Sequence, residues 1–441
     1  MGKRLGRSAI PIGAALLVLG FAENVQASGF QLFDQSPSGQ GNAFAGAAAA
    51  AEDASTIFFN PAGMSNLSGY QTEAGVQIIL PSLTLHPTKA TTAGGAPLTG
   101  PQSVDGGSTA FIPNFYVMAP LGDRARVGFG IESPFGLETD YGENWIGRYY
   151  AEESNLRTLN FNPSVSYKMA DWISVGAGLD IMYSDVFLSN AVDFGTIFAA
   201  GGFTPQSQDG QLKLQANTVG FGWNAGIMLQ PLDHTRLGLS YRSPVHLGFD
   251  GQAHWSAPTA IRTFQALIGN TAFQSGGAHA SINLPETVSA AVAQELDSKW
   301  TLLGDVTWTH WDRFQALSVG FDNPVQPPIV IPESWHDTFR EALGVTYKAT
   351  DKAKLRLGVA YDPTPTKSST RDLRIPDTDR FWLSVGYNLH LIDNLSLDAA
   401  YTHIFALTDG AVNLTSATQG NVSGTYSAEV NIFAVGFKYT F

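Results

Sequence analysis

The chain has 441 residues, 44% of them hydrophobic, 11% aromatic and only 14% charged, with 46 glycines, no cysteine and a formal net charge of −13. So few charges with so much glycine fit no ordinary soluble class; the apolar content excludes disorder, the aperiodic glycines exclude a collagen-like repeat, and the missing cysteine excludes a disulfide scaffold or thiolate metal site. The acidic balance excludes nucleic acid as a partner, because a binder needs lysine and arginine to displace counterions from phosphates.

Residues 1–27 carry Lys3, Arg4 and Arg7, then an apolar stretch from Ala9 to Ala22, then Val25-Gln26-Ala27 with small residues where a signal peptidase reads. The pattern predicts a secretory signal cleaved after Ala27. A membrane anchor is the other reading, but the apolar stretch is shorter than the roughly 20 residues that a spanning helix needs. Cleavage takes 25 basic and 38 acidic residues to 22 and 37, a balance of −15. Beyond Ala27 no apolar run is long enough for a transmembrane helix. The chain is then either soluble and exported, or it crosses a membrane as a closed β-barrel.

Residues 28–69 are rich in glycine and alanine yet hold Phe30, Leu32, Phe33, Phe44, Ile57, Phe58 and Phe59. A flexible arm is one reading. A compact plug inside a lumen suits so many apolar groups better.

From Tyr70 onward, strand-length segments alternate strictly. In 172–183 one face reads Ile173, Val175, Ala177, Leu179, Ile181, Tyr183 and the other Ser174, Gly176, Gly178, Asp180. The same split sets Leu355, Leu357, Val359, Tyr361 against Lys354, Arg356, Gly358, Ala360, and Leu395, Leu397, Ala399, Tyr401 against Ser396, Asp398, Ala400, Thr402. A soluble sandwich alternates too, but it rarely gives its polar face so much glycine. A barrel in lipid needs an apolar outer band with aromatic girdles and a small, polar interior. The chain also ends on alternating Phe433, Val435, Phe437, Tyr439 and Phe441, as many outer-membrane barrels do.

About fourteen such segments begin near Tyr70, Ala110, Arg124, Arg157, Asp171, Gln211, Thr235, Gly277, Lys299, His336, Asp351, Arg380, Asn394 and Ser427. Short turns at Leu121-Gly122-Asp123, Ala170-Asp171, Pro231-Leu232-Asp233, Asp297-Ser298 and Ile392-Asp393 alternate with longer connections near 86–109, 137–156, 190–210, 251–276, 319–334, 364–378 and 408–425. The expected fold is all-β: a fourteen-stranded antiparallel transmembrane barrel over 70–441 with an N-terminal hatch over 28–69, in the outer membrane of a Gram-negative bacterium.

No catalytic pattern competes. There is no G-x-S-x-G elbow and no H-E-x-x-H, and His310-Trp311-Asp312 puts His310 and Asp312 on one strand face without a third ligand in view. No catalytic residue, metal or cofactor is expected. An outer-membrane lipase, the enzyme alternative, would need a serine and a histidine paired in the wall.

Ser28-Gly-Phe-Gln-Leu, Asn60-Pro61-Ala62, GFGIESPFGLETDY at 128–141, GFGWNAGI at 220–227, YRSPV at 241–245, INLPE at 282–286, ALGVTY at 342–347 and IPDTDRFWLSVG at 375–386 run in order along the chain. Together they resemble the FadL-type family of outer-membrane long-chain fatty acid and hydrocarbon transporters. The resemblance implies a fourteen-stranded barrel, a hatch whose motif falls on Asn60, Pro61 and Ala62, and a strand kinked inward where Ser133, Pro134, Phe135 and Gly136 stand. Proline removes a ladder donor and glycine marks a bend, so local pairing should fail there.

A plugged barrel cannot pass polar solutes as a porin does, whereas an alkyl chain gains about 0.8 kcal/mol for each methylene it buries. The ligand is expected to enter an apolar groove among the outer loops, reach a pocket at the hatch, and leave sideways into the bilayer. Groove candidates are Phe135, Leu137, Tyr141, Trp145 and Ile146 in one loop and Phe194, Ile197, Phe198 and Phe203 in another; alternatively, these aromatics simply pack the loops together. Phe30 and Leu32 resemble the family's segment that reaches the inner pocket and moves on ligand binding. Matching by position puts Asn190 and Ile331 where fatty-acid carriers are expected to hold cations, with Arg148, Arg157 or Arg340 as replacements. That departure keeps uncharged alkanes and aromatic hydrocarbons open as substrates. A monomer is expected, with the barrel assembly machinery engaging the C-terminal strand that ends at Phe441.

Overall fold

The computed structural model describes residues 29–441, and in it the alternating segments close into a ring. The expected signal segment lies outside the described residues. The first seven wall strands are Gln71–Thr91, Ala110–Leu121, Ala125–Glu132, Glu153–Ala170, Ile173–Asp193, Asp209–Leu232 and Thr235–Arg242. The next seven are Thr287–Glu295, Trp300–Thr309, Thr338–Lys348, Ala353–Asp362, Arg380–Ile392, Leu395–Ala406 and Gly420–Thr440. Each pairs antiparallel with the next, and the last pairs with the first from Gln71 opposite Thr440 to Thr91 opposite Asn421. The result is a closed barrel of 14 strands.

The wall is inverted relative to a soluble protein. Ser174, Asp180 and Ser184 are buried on the lumen side, while Leu179 and Phe221 on the outer face are 58% and 70% exposed. Such a surface is stable only against hydrocarbon. Exposed Tyr167, Trp172, Trp300, Tyr387 and Tyr439 stand beside the short turns. Exposed Phe111, Tyr183, Phe221 and Phe339 form a second ring higher up, separated by about ten residues of strand, the length that crosses a bilayer. Among the described residues no helix is long and apolar enough to cross a membrane.

The short turns lie at one end, as the sequence indicates. At the other end, strand reaches into segments read from sequence as loops: Ile329–Pro332 and Gly410–Ser416 lie wholly within them, Val245–Ser256 and Ala316–Phe321 run into them, and Thr259–Ile268 is a helix; the segment expected to begin near Gly277 is divided into an upper strand, Gly276–Leu284, and the wall strand from Thr287. Backbone edges that rise beyond the wall pair with one another and so are not left open. Three neighbouring strands break at similar height, at Ser243-Pro244, at Pro285-Glu286 and over 310–315, before the upper pieces re-pair.

Residues 29–67 lie inside the ring. Short helices at Pro37–Gln40, Ala47–Ala50 and Thr56–Phe59 and a 3-10 turn at Pro61–Asn66 fill the lumen, and most residues from Phe30 to Leu67 are buried. Their seats on the wall are glycines: Gly226 faces Asn60 and Gly386 faces Gly41, where a Cβ on Gly386 would stand 2.6 Å from the Gly41 Cα. Polar pins hold the segment down. The Asn60 amide donates to the carbonyls of Ala48 (2.7 Å) and Ile227 (3.1 Å), Gln40 donates to Ile432 (3.1 Å), and Glu52 pairs with Lys354 (3.2 Å) and Arg356 (3.0 Å). Gly386→Val should therefore unseat the lumenal segment while the wall still assembles. Planar-bilayer recording checks this: the variant should show large, stable ion currents that the parent does not.

Candidate functional site

The third wall strand is paired on both sides as far as Ile131, opposite Phe115 and Phe161. Beyond Glu132 it is interrupted by Ser133-Pro134-Phe135. The ladder toward Glu153–Ala170 resumes with Gly136 opposite Arg157, so three residues face two and the strand bulges. On the other side, the resumed piece Gly136–Asp140 has no pairing with Ala110–Leu121 among the described residues. Pro134 brings no N–H to a ladder, and the Thr158 hydroxyl, not backbone, bonds to both the N–H (3.1 Å) and the carbonyl (2.6 Å) of Phe135.

The start of the lumenal segment takes the place of the missing strand. The Leu32 N–H donates to the Pro134 carbonyl (2.9 Å), the Gly136 N–H donates to the Phe30 carbonyl (3.0 Å), and Gln31 stands opposite Phe135 as an antiparallel bridge. One step further, the fully buried Gln35 side chain imitates a strand backbone. Its Nε2 donates to the Ser133 carbonyl (2.7 Å) and its Oε1 accepts from the Ser133 N–H (3.0 Å). Leu32 packs on Gly136, where an added Cβ would meet its Cδ1 at 2.9 Å.

The same segment carries Phe30 into an aromatic box. Its ring centroid lies 6.1 Å from Phe135, 4.9 Å from Trp311, 5.8 Å from Phe314 and 5.5 Å from Trp335. Beside Phe30 is a cavity of about 890 Å³, mouth included, walled largely by Leu137, Leu156, Val186, Leu214, Phe249, Ile282, Phe314 and Leu317. Four residues with ionisable side chains, His279, Glu333, Asp372 and Arg374, also line it. Burial pushes the Glu333 and Asp372 carboxyls above the ordinary carboxylate range.

Thus Phe30, Leu32, Ser133, Pro134, Phe135, Gly136 and Leu137 come together. The other aromatic candidates do not join them. Tyr141, Trp145 and Ile146 are buried in a separate loop core with Tyr149, Leu373 and Tyr426, Tyr141 stacking on Trp145 at 4.2 Å. Phe194, Ile197, Phe198 and Phe203 belong to a third cluster with Ile261, Phe264 and Phe273. Asn60, Pro61 and Ala62 sit against the wall at Gly176 and Gly226, away from the break.

The cation candidates are occupied elsewhere. Arg148 pairs with Asp209 (3.0 Å), Arg157 with Asp185 (2.8 Å) on the exposed face, and Arg340 lies in the lumen between the Phe33 and Trp382 rings. Ile331 is in the short outer strand Ile329–Pro332. Asn190 has its amide oxygen 3.2 Å from Arg374, a residue that sequence reading passed over. His310 bonds to Asp337 (3.2 Å), and among the described residues no cluster could hold a metal ion. Gln35 and Arg374 were missed because neither sits in a motif: Gln35 acts on a residue 98 positions away, and Arg374 on one 184 away.

The family described as "Outer membrane protein transport protein (OMPP1/FadL/TodX)" matches residues 18–441. The chain belongs to this family. It is 29% identical over 462 residues to a "Long-chain fatty acid transport protein" of Escherichia coli O6:H1, covering 99% of this chain and 98% of the relative. The crystal structure of a Pseudomonas aeruginosa FadL homologue superposes with a TM-score of 0.87 at 25% identity, covering 94% of this chain and all of that one. The Pseudomonas putida toluene transporter TodX shares the fold at a TM-score of 0.65 and 17% identity, over 88% of this chain and 94% of that one. With the family, the inverted wall has its place: an outer membrane.

Gln35→Ala would orphan the Ser133 N–H and carbonyl, at a cost of about 1–3 kcal/mol for each buried group. Amide hydrogen exchange read by mass spectrometry should then rise at least tenfold over 133–136, with the neighbouring wall strands still protected.

Proposed function

We propose that this protein carries long-chain fatty acids or other hydrophobic molecules passively across the outer membrane. In this reading residues 28–69 are the hatch, the outer loops capture the ligand, the cavity beside Phe30 receives it, and the break at Ser133–Gly136 releases it sideways into the bilayer. The observation that carries the reading is the double position of Phe30. Its ring walls the apolar cavity, and its carbonyl bonds to Gly136 at the strand break. A ligand that displaces the ring also pulls the surrogate strand away from the break. Cavity filling and exit are therefore one movement.

The energetics fit an apolar passenger. Ten buried methylenes are worth roughly 8 kcal/mol, enough to offset the aromatic contacts that Phe30 gives up. Relatives named for fatty acid and for toluene support a hydrophobic ligand without deciding between a fatty acid and an uncharged hydrocarbon. The protein acts as a monomer, since a gap in the wall must face lipid; it carries out no catalysis, and its C-terminal strand ending at Phe441 is read by the barrel assembly machinery. Ion conductance and esterase activity of the purified protein test the polar-channel and lipase alternatives.

A reversible lock tests the movement. Gln31 and Phe135 form a non-hydrogen-bonded antiparallel pair, the geometry with the shortest Cα separation and the one that suits a cross-strand disulfide, and the chain has no cysteine of its own. In Gln31→Cys/Phe135→Cys, uptake of labelled oleate and hexadecane by whole cells should fall at least tenfold when oxidised and recover on reduction. Equal uptake in both redox states would overturn the proposed route.

A further inference from the structure

A barrel in a membrane carries large aromatic residues at the level of the lipid heads on each side of the hydrocarbon. Beside the short turns that ring is interrupted over three neighbouring strands. Tyr439 on the last wall strand stands opposite Thr72 on the first, and Thr72 stands opposite Val117 on the second. From the other direction, Tyr167 on the fourth strand stands opposite Ala125 on the third, where Val127 in turn faces Ala119. Between the two tyrosines, then, these strands present threonine, alanine and valine.

The interruption is a hollow of about 1050 Å³, mouth included, lined by Tyr70, Thr72, Val117, Ala119, Phe129 and Phe441. It lies on the outer face of the wall. Tyr70 and Phe441 are 55% and 69% exposed, whereas Gln71 and Met118, whose side chains point to the lumen, are buried. In a membrane such a hollow fills with hydrocarbon, because wall atoms that face empty space forfeit their dispersion contacts. Filling it does not by itself favour one lipid over another, since the alternative for any acyl chain is more hydrocarbon. Selection falls to the polar edge.

That edge is the hairpin turn Gly122-Asp123-Arg124, which joins the second and third strands next to Ala119 and Ala125. Arg124 is exposed, and its guanidinium has no ion pair or hydrogen bond among the described residues. Arg126 gives Nη1 to the carbonyls of Gly122 (3.3 Å), Asp123 (3.4 Å) and Ala125 (2.9 Å), and among the described residues it has no carboxylate partner. Asp123 is the one carboxylate of the hairpin, so two cations face a single anion. On the adjacent turn Lys168 and Asp171 pair with each other at 3.1 Å and leave that balance unchanged. Tyr70 adds a phenol hydroxyl without a hydrogen-bond partner among the described residues.

We propose that this hollow binds one glycerophospholipid of the periplasm-facing leaflet, with an acyl chain over Thr72, Val117 and Ala119 and the phosphodiester on Arg124. A guanidinium matches the paired oxygens of a phosphate, and the excess of positive charge on the hairpin complements the anion. The leaflet agrees, since the short turns of outer-membrane barrels face the periplasm, where the lipids are phospholipids. The site stands on the two strands whose ladder ends at Ile131, so the lipid covers the lower part of the seam that the break continues. It is separate from the cavity and does not depend on the transport reading.

Native mass spectrometry of the purified protein in non-ionic detergent counts the lipids retained by each barrel. The probes are dioleoylphosphatidylglycerol and dioleoylglycerol, which share their chains and differ in the phosphate. The parent should hold one phosphatidylglycerol and about fivefold less dioleoylglycerol, the effect of one arginine beside a lipid phosphate. Ala119→Trp fills the hollow and should lower retained phosphatidylglycerol about tenfold. Val359→Trp, a similar insertion on the outer face of the eleventh strand, should leave it unchanged. Arg124→Gln should bring phosphatidylglycerol down to the level of dioleoylglycerol, and Arg124→Lys should restore part of the difference. Equal retention of the two lipids by the parent, a preference that survives Arg124→Gln, or retention that Ala119→Trp leaves intact or Val359→Trp lowers equally would each overturn the proposal.

Discussion

A wall that stands in hydrocarbon can leave no backbone N–H or C=O without a partner, and the rest of this molecule follows from how it meets that demand. Over most of the circumference the closed ladder suffices. At Ser133–Gly136 it does not, because Pro134 has no donor and the neighbouring strand has parted company. The missing partners come from inside, from Phe30, Leu32 and the side chain of Gln35. The start of the lumenal segment thus stands in for a piece of the wall.

On the proposed route the rest of the lumenal segment is held firmly and movement is confined to its beginning. Two devices do this. Glycines on the lumen face let the segment's backbone lie directly against the wall, as Gly386 does for Gly41, and buried amides and charges such as Asn60, Gln40 and Glu52 bond across the contact. Close packing of this kind transmits strain poorly over a continuum but well between discrete arrangements. The first residues, tied by a few hydrogen bonds and one aromatic ring, are the part with least to lose on moving.

The cavity shows how the same fold treats charge. In the lumen Arg242, Arg356 and Arg380 pair with carboxylates at short range, while Arg340 lies between the Phe33 and Trp382 rings. At the cavity Arg374 departs from that pattern: it is buried, and its hydrogen bonds go to the neutral oxygens of Glu153, Ser154, Ser189 and Asn190.

How much of this was legible beforehand follows from the range of each signal. A period of two is local, so the sequence by itself determined the wall: which residues face lipid and which face the lumen, the approximate starts of fourteen segments, the short turns at one end, and the closing strand ending in Phe441. The proline and glycine at 134 and 136 marked a break for an equally local reason. What repairs that break was not legible, since a glutamine in mid-segment looks like any other until the chain brings it to Ser133. The loop aromatics, alike in sequence, were sorted into three clusters only by the upper strands, which pair according to edges left free at that height. Arg374 reads in sequence as one more loop cation. Only the tertiary structure could decide that it is dry, unpaired and aimed at an apolar cavity, because burial and counter-charge belong to the assembled surroundings and not to any stretch of chain.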